Sequence, residues 1–237
     1  MLWQDLCTAL FGAEHAVQAD GDFICGEARL DGRPITVFGS TNHAAVGVEL
    51  ALRQARVVLD TVAAHPGRPL LLLVDTQGQA LRRRDELLGI HRAMAHLGSC
   101  VELARRQGHP VLGLVYDQAL SGGFITSGLI ADACDALPEA EIRVMRIPAM
   151  ARVTKIAEDR LQALSADNPV FAPGVGNYVA MGGVRRLWDA QAPGGLAQAL
   201  RDALADLPLQ DERARLGAER GGRRLAASVI DRVLAAP

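Results

Sequence analysis

The chain has 237 residues, of which 49% are hydrophobic and 22% charged, a balance typical of a globular protein and not of a disordered one. Its formal net charge of −2 argues against broad nucleic-acid binding, and no apolar run reaches the roughly 18–20 residues of a membrane span. Residues 1–5 lack the basic start and apolar stretch of a secretory signal, so we expect a cytoplasmic protein.

The residue types that most often build metal or covalent sites are sparsely placed. The sequence has no H-E-x-x-H motif and no C-x-x-C pair, so we expect no bound metal. Of the 25 basic residues 24 are arginine, and Schiff-base chemistry would rest on Lys155 alone, in a stretch with no other catalytic signal. Buried, reduced thiols are expected at Cys7, Cys25, Cys100 and Cys134.

The chain begins with short predicted elements. Residues 1–20 are expected to form a helical lead-in. A strand is predicted over Phe23–Leu30 and its return over Ile35–Gly39. Asp31–Pro34 joins them, because Asp-Gly takes the backbone angles of a tight hairpin turn. Apolar residues at helical spacing then predict a helix over about 46–64.

Two uninterrupted apolar runs, Leu70–Val74 and Val111–Tyr116, are predicted as strands buried on both faces, as in a sheet covered by helices. A long helix over about 85–107 is expected between them, and a helix of small residues over about 123–131 after the second. The spacing of the long helix predicts a buried face formed by Leu87, His91, Met94, Leu97 and Val101.

The alternation of strands and helices predicts an α/β fold, with short strands around 133–137 and 141–145 completing the sheet. We expect the chain to form one domain. The domain spans 1–237 and is expected to contain a core at about 22–160, a Pro/Gly-rich surface loop or lid at 165–183, and C-terminal helices at 184–237.

Two polar loops, Asp75–Gln79 and Ser121–Gly123, follow the two buried strands. The carboxyl ends of parallel strands meet at one edge of a sheet, so both loops are expected to face one crevice. Glycine lets backbone N–H groups approach a ligand closely, and one donor from each loop could form an oxyanion hole. Tight packing of a helix on a strand requires the same glycine pair, and the spacing alone leaves both interpretations open.

Two further motifs match known patterns only in part. Ser121 takes the place of the nucleophile in G-x-S-x-G, but Ala119 replaces the first glycine and no His–Asp partner is evident. Gly174-x-Gly176 resembles the start of a dinucleotide fingerprint, but Val179 stands where the third glycine belongs and no buried strand precedes it. The sequence therefore favours neither a serine nucleophile nor a dinucleotide site.

Five segments, spread over about residues 26–155, resemble the carboxyltransferase branch of the crotonase superfamily in that family's order and spacing. The first loop departs from the family pattern Val-Asp-x-Pro-Gly-Phe at Gln77 and Gln79. The segments are the hairpin at 32–39, the first oxyanion loop at 73–78, the helix and strand at 89–115, Ser121-Gly122-Gly123-Phe124, and, most specifically, Pro138-x-Ala140-Glu141-Ile142-x-Val144-Met145.

Within that branch the chain is similar to the gamma subunits of malonate decarboxylases, through its short length and the segments 121–124, 146–155 and 168–174. The resemblance implies a crotonase-like ββα spiral with C-terminal helices, and an active site shared with a crotonase-like beta subunit. It also implies an acyl carrier protein subunit, whose phosphopantetheine-type arm delivers malonyl thioester, and a malonate/acetyl-ACP transferase subunit. No cofactor bound tightly by this chain is expected.

Loss of CO2 from a malonyl thioester leaves an enolate, whose charge needs fixed hydrogen-bond donors and no nucleophile. The chain is therefore expected to be a carbon–carbon lyase subunit that decarboxylates malonyl thioester, or transfers its carboxyl group, to leave acetyl thioester. The expected catalytic positions are the backbone amides of Gly78, Gln79, Gly122 and Gly123, and the expected substrate-binding residues are Asp75, Ser121 and Phe124.

Two alternatives remain open from the sequence. One is another crotonase-like enzyme, either an acyl-thioester hydratase, which would use acidic residues such as Asp75 and Asp117 near the glycine loops, or a serine peptidase. The other is a non-catalytic structural subunit of a carboxylase complex.

Overall fold

The computed structural model describes residues 1–167, 174–208, 210–222 and 224–236, and the strands of this part form a mixed eight-stranded sheet. The strands are β1 Gln18–Asp20, β2 Phe23–Leu30, β3 Arg33–Ser40, β4 Ala44–Val46, β5 Leu70–Gln79, β6 Val111–Leu120, β7 Ala133–Ala136 and β8 Glu141–Arg143. Their order is β1-β2-β3-β5-β6-β7, with β4 paired to β5 and β8 paired to β6.

Helices connect and cover these strands. They are α1 Trp3–Phe11, α2 Val48–Ala64, α3 Arg83–Leu87, α4 Ile90–Arg106, α5 Ser121–Phe124, α6 Ile147–Thr154, α7 Glu158–Asp167, α8 Val175–Ala180, α9 Gly195–Ala205, α10 Arg213–Glu219 and α11 Arg224–Leu234. A π-helical turn, Ile125–Leu129, continues α5. None of the helices that the structure describes is both long enough and apolar enough to span a bilayer.

β2 and β3 form the antiparallel hairpin predicted from the sequence. Leu30 pairs with Arg33, and the two residues between them, Asp31 and Gly32, have φ of 52° and 75°. Positive φ at both central residues is the type I′ geometry that matches the twist of the paired strands. The return strand β3 extends beyond the predicted Ile35–Gly39 at both ends.

β5 and β6 run parallel and pair along their apolar residues. In β5, Leu70, Leu72 and Val74 belong to one hydrophobic core, and their neighbours Leu71 and Leu73 belong to a second core. Successive strand residues point to opposite faces of a sheet, so a run without polar interruption must be covered on both sides. The prediction of strands buried on both faces is confirmed.

Helices α2 and α4 lie on one face of the sheet, and α1 and α9 contribute to the core of the other. Ala55 of α2 and Leu97 of α4 belong to the first core, and Leu10 of α1 and Leu200 of α9 belong to the second. Burying one leucine side chain fully contributes about 1.5–3 kcal/mol. The α/β class is confirmed, and this layering fixes the carboxyl ends of β5 and β6 at one edge.

The prediction of one continuous helix over 85–107 is wrong. The chain forms α3 and then α4, because Gly89 between them has φ of 76°, which a helix interior does not allow. The break leaves the side chain of Leu87 exposed instead of buried. The buried face of α4 starts at Ile90 and leaves His91 exposed, one residue away from the predicted face.

The segment 165–183, predicted as a loop or lid, is partly helical. Ser165 lies within α7, and α8 follows Gly174. The ring of Tyr178 in α8 packs edge-on against Phe124 with 6.0 Å between ring centroids, so this segment has a core to pack against. Residues 168–173 of the predicted loop lie outside the described residues.

A buried carboxylate ties the C-terminal part of the chain to the sheet. Asp135 in β7 is fully buried, and it accepts hydrogen bonds from Arg185 Nη2 and from the Trp188 indole nitrogen, both at 2.9 Å. A buried charge without such partners would cost several kcal/mol, so these contacts hold residues 185–188 against β7. The predicted C-terminal helices follow as α9, α10 and α11.

Candidate active site

Thr76–Gln79, which we call the first glycine turn, is the end of strand β5. It is not the separate loop, Asp75–Gln79, that its polar residues predicted. Thr76 pairs with Ala44 of β4 and with Ala119 of β6, and Gly78 pairs with Ala45. The buried Thr76 Oγ1 donates to Ala44 O at 2.6 Å and accepts from Gly78 N at 3.0 Å. The strand continues through these polar residues because their buried polar groups are hydrogen-bonded. The N–H group of Gly78 already has an acceptor within its own turn.

Ser121–Gly123, which we call the second glycine turn, lies where the chain passes from β6 into α5. Ser121 has φ of 50°, a left-handed conformation that is uncommon for a residue with a side chain. Its hydroxyl donates to Val144 O, and Gly122 N donates to Gln79 Oε1 at 3.1 Å. The helix predicted over 123–131 is therefore a four-residue α5 followed by the π-helical turn.

The two turns are in direct contact. A Cβ atom on Gly123 would lie 2.7 Å from the carbonyl carbon of Gly78, and one on Gly78 would lie 3.0 Å from Ser121 Cβ. Real Cβ atoms essentially never come closer than 3.0 Å to another atom, and a contact of 3.0 Å is tighter than nine in ten real Cβ contacts. Glycine at both positions is what allows the two turns to converge, so both the packing and the ligand interpretations of the Gly-Gly pair have support.

A cavity of about 540 Å³ opens at this edge of the sheet. Gln79 and Ser121 from the two turns line it, together with His43, Gln77 and Arg146. Pockets for small organic ligands are usually about 300–1,000 Å³. The cavity is therefore large enough for the reacting end of an acyl thioester.

The predicted site residues fall into two groups. Gln79 and Ser121 line the cavity, whereas Gly78, Gly122 and Gly123 are not among its lining residues. Gly122 N is hydrogen-bonded to the lining side chain of Gln79. Asp75 is buried beside the first turn, and Phe124 is buried in the core against Tyr178. Neither Asp75 nor Phe124 lines this cavity, so substrate binding by these two residues stays a prediction.

The carboxyl group of Asp75 is buried and only partly hydrogen-bonded. Asp75 Oδ2 accepts from the backbone N of His43 at 2.9 Å, and Asp75 Oδ1 has no hydrogen-bond partner in the part of the chain that the structure describes. Burial raises the pKa of this carboxyl above its ordinary value; the amide and ring of His43 oppose the shift, and the charge of Asp117 adds to it.

His43 joins this group of residues and was not predicted from the sequence. Its Nε2 lies 3.5 Å from Asp117 Oδ2 and 3.7 Å from Asp75 Oδ1. The three ligand atoms lie within 4.8 Å of one another, a donor set that can also hold a divalent cation. His43 follows Asn42 in a turn and is brought to Asp75 by the pairing of the three-residue β4 with β5, which no local sequence pattern indicates.

The serine-nucleophile alternative gains no partner. Ser121 Oγ donates to a backbone carbonyl, and no histidine ring in the described residues accepts a hydrogen bond from it. A nucleophilic serine needs a base within hydrogen-bond reach. The geometry therefore provides backbone N–H donors and a histidine beside two carboxylates, and no activated serine in the part of the chain that the structure describes.

Comparison with known proteins identifies the family. The family model for the malonate decarboxylase gamma subunit, MdcE, matches residues 41–236. A curated relative, the malonyl-S-ACP:biotin-protein carboxyltransferase MADD of Malonomonas rubra, is 31% identical over 205 residues, which are 78% of this chain and 70% of that protein.

Two crystal structures of a Pseudomonas malonate decarboxylase are similar over nearly the whole chain. One is a hetero-tetramer in complex with coenzyme A, with a TM-score of 0.78 and 29% identity; the other is an MdcD–MdcE hetero-dimer, with 0.75 and 30%. Each match covers 97% of this chain and 96% of the other. The crotonase-like carboxyltransferase fold expected from the sequence is confirmed. The chain belongs to the malonate decarboxylase gamma-subunit family.

Proposed function

We propose that this chain works with a beta subunit to decarboxylate a malonyl thioester, or to transfer its carboxyl group, leaving an acetyl thioester. The relatives support this: one is named as a malonyl-S-ACP carboxyltransferase, and another is an MdcD–MdcE hetero-dimer. The substrate would be carried on the phosphopantetheine-type arm of an acyl carrier protein. A malonate/acetyl-ACP transferase subunit would load that carrier.

Breaking the bond between the carboxyl group and C2 leaves an electron pair that spreads onto the thioester oxygen. A catalyst lowers this barrier by aiming fixed N–H donors at that oxygen in a water-poor cavity. The contact between the two glycine turns at the wall of the 540 Å³ cavity is the observation on which the proposal depends.

The two turns differ in which N–H groups are available to substrate. Thr76 Oγ1 already accepts from Gly78 N within the buried turn, so that amide is assigned to structure. Gly122 N donates to the side chain of Gln79, and Gln79 Nε2 has no acceptor among the described residues. An anionic oxygen accepts more strongly than a carboxamide oxygen. We therefore assign the enolate oxygen to Gly122 N–H, with Gln79 Nε2 as a second donor.

The test introduces a negative charge at Gln79, in the complex reconstituted with the beta subunit and the carrier protein. Gln79→Glu keeps an oxygen that can accept from Gly122 N, removes the Nε2 donor and places a negative charge beside the enolate. Because one oxyanion donor is typically worth about 100-fold or more in kcat, we expect kcat to fall by at least about 100-fold.

Gln77→Glu is the matched control, since Gln77 lines the same cavity from an exposed position. It introduces the same charge at the rim and is expected to change kcat by less than about threefold, as exposed charges are screened by salt. Equal kcat for the Gln79→Glu complex and the unmodified complex would contradict the oxyanion assignment.

A further inference from the structure

His43 stands at the junction of two cavities. It lines the 540 Å³ cavity together with Gln79 and Ser121, and it also lines a neighbouring cavity of about 500 Å³ together with Arg53 and Arg82. Its side chain is 51% exposed, so both a ligand and water can reach the ring. His43 therefore lies at the wall of the cavity proposed to hold the thioester, and its ring is open to solvent protons.

Two carboxylates face the ring of His43. Nε2 lies 3.5 Å from Asp117 Oδ2 and 3.7 Å from Asp75 Oδ1, and Asp75 Oδ1 is a buried atom with no hydrogen-bond partner in the described ranges. A proton on the ring is attracted by both carboxylates at this range. Arg53 and Arg82, the nearby cations of the second cavity, are already paired with Asp20 and Asp85.

The backbone of His43 is fixed by the same carboxyl group that faces its ring. Asp75 Oδ2 accepts from His43 N at 2.9 Å, and His43 has φ of 49°. This hydrogen bond fixes the backbone of His43, and the two carboxylates that lie 3.5 and 3.7 Å from Nε2 attract the ring toward them. Asp75 and Asp117 are therefore positioning residues for the imidazole.

We propose that His43 is the general acid that protonates C2 of the enolate, an inference that rests on the proposed function. Cleavage of the carboxyl–C2 bond releases CO2 and leaves its electron pair in the enolate. That pair takes the proton of the ring, forming the C2–H bond of the acetyl group and leaving neutral imidazole. Solvent then returns the proton to the half-exposed ring, so each turnover consumes one proton.

The experiment uses the reconstituted complex with two substrates. CO2 release is measured from the malonyl carrier protein, and exchange of the methyl hydrogens for deuterium is measured on the acetyl carrier protein in D2O by mass spectrometry. His43→Asn is the test variant, because Asn tolerates the left-handed backbone. We expect its exchange rate and its kcat to fall by about 100-fold, the usual scale of general acid catalysis.

Two further arms separate a proton donor from a structural role. His43→Gly keeps the same backbone conformation, and added imidazole is expected to restore its deuterium exchange at least tenfold. His65→Asn, at the end of α2 and away from the two cavities, is expected to leave both rates unchanged. Asp75→Asn is expected to slow exchange less than His43→Asn, because it removes the positioning charge and not the donor.

The outcomes separate this inference from the proposed function. If the unmodified complex does not release CO2, the proposed function fails and the inference fails with it. If the complex is active and His43→Asn exchanges deuterium at the unmodified rate, the inference alone fails. Loss of exchange on adding EDTA, restored by a divalent metal, would also overturn it and assign the His43, Asp75 and Asp117 side chains to a metal.

Discussion

The two glycine turns that meet at the candidate site satisfy their amides in different ways. In the first, Thr76 accepts from Gly78 N inside one buried strand end. In the second, Gly122 N is held by Gln79, a half-buried side chain that belongs to the other turn and lines the cavity. The first arrangement is closed to ligands, whereas the second can be opened by one side-chain movement. Similar glycine motifs thus provide a fixed support and a releasable donor.

The largest effect is expected from separating the turns. Gly123→Val would place a Cβ 2.7 Å from the carbonyl carbon of Gly78, and backbone cannot yield as a flexible side chain does. Overpacking of this kind costs about 3 kcal/mol, so we expect a clear loss of stability in urea unfolding and loss of activity. Gly176→Val is the control, because a Cβ there meets nothing within 4 Å. Equal midpoints for the two variants would show that the turns are not tightly packed.

An intermediate effect is expected from removing each acceptor in turn. Thr76→Val keeps the shape of a fully buried side chain and leaves Gly78 N unpaired, which costs about 1–3 kcal/mol. Gln79→Met removes the acceptor of Gly122 N at a half-buried position and is expected to cost no more than about 0.5 kcal/mol. Thermal unfolding of the two variants compares them. A larger loss for Gln79→Met would reverse the assignment of fixed and releasable turns.

The smallest effect concerns Asp75, which precedes the first turn. Burial raises the pKa of this carboxyl, so the folded chain holds its proton more tightly than the unfolded chain does. The resulting cost appears as pH rises above the ordinary pKa of about 3.9, and it is complete above the raised pKa. Asp75→Asn cannot ionise, so at pH 7 its Tm is expected to rise by about 2 °C, and at pH 3 to change little.

Asp117→Asn serves as the control for this prediction, since that carboxylate is 44% exposed and should shift Tm less. A lower Tm for Asp75→Asn at pH 7 would mean that contacts of the carboxylate with His43 outweigh its burial. The site would then be a source of stability and not a strained arrangement kept for chemistry.

The sequence allowed the central sheet to be predicted because its signals are local. The apolar runs of β5 and β6 and the Asp31-Gly32 turn each depend on neighbouring residues, and all three are confirmed. The position of both glycine turns at one sheet edge follows from parallel strand direction alone. These features need no knowledge of distant contacts.

The parts that could not be predicted depend on long-range pairing. β4 has only three residues, and the helix predicted from about 46 includes its last residue, Val46. Its pairing with β5 places His43 beside Asp75, which lies 32 residues further along the chain. The polar end of β5 remains a strand for the same reason, because Thr76 Oγ1 bonds to Ala44 of β4. The break at Gly89 was missed because a single glycine within apolar helical spacing is a weak signal.

The clamp of Arg185 and Trp188 on the buried Asp135 has a consequence for how the chain can be divided. These bonds hold residues 185–188 on β7. Leu196 and Leu200 of α9 share a core with Leu10 of α1, so α9 packs on the same side of the sheet. After a backbone cut between 168 and 173, the two fragments would therefore stay associated through these noncovalent contacts. The two fragments could also be expressed as separate polypeptides, and they would then associate into the folded protein.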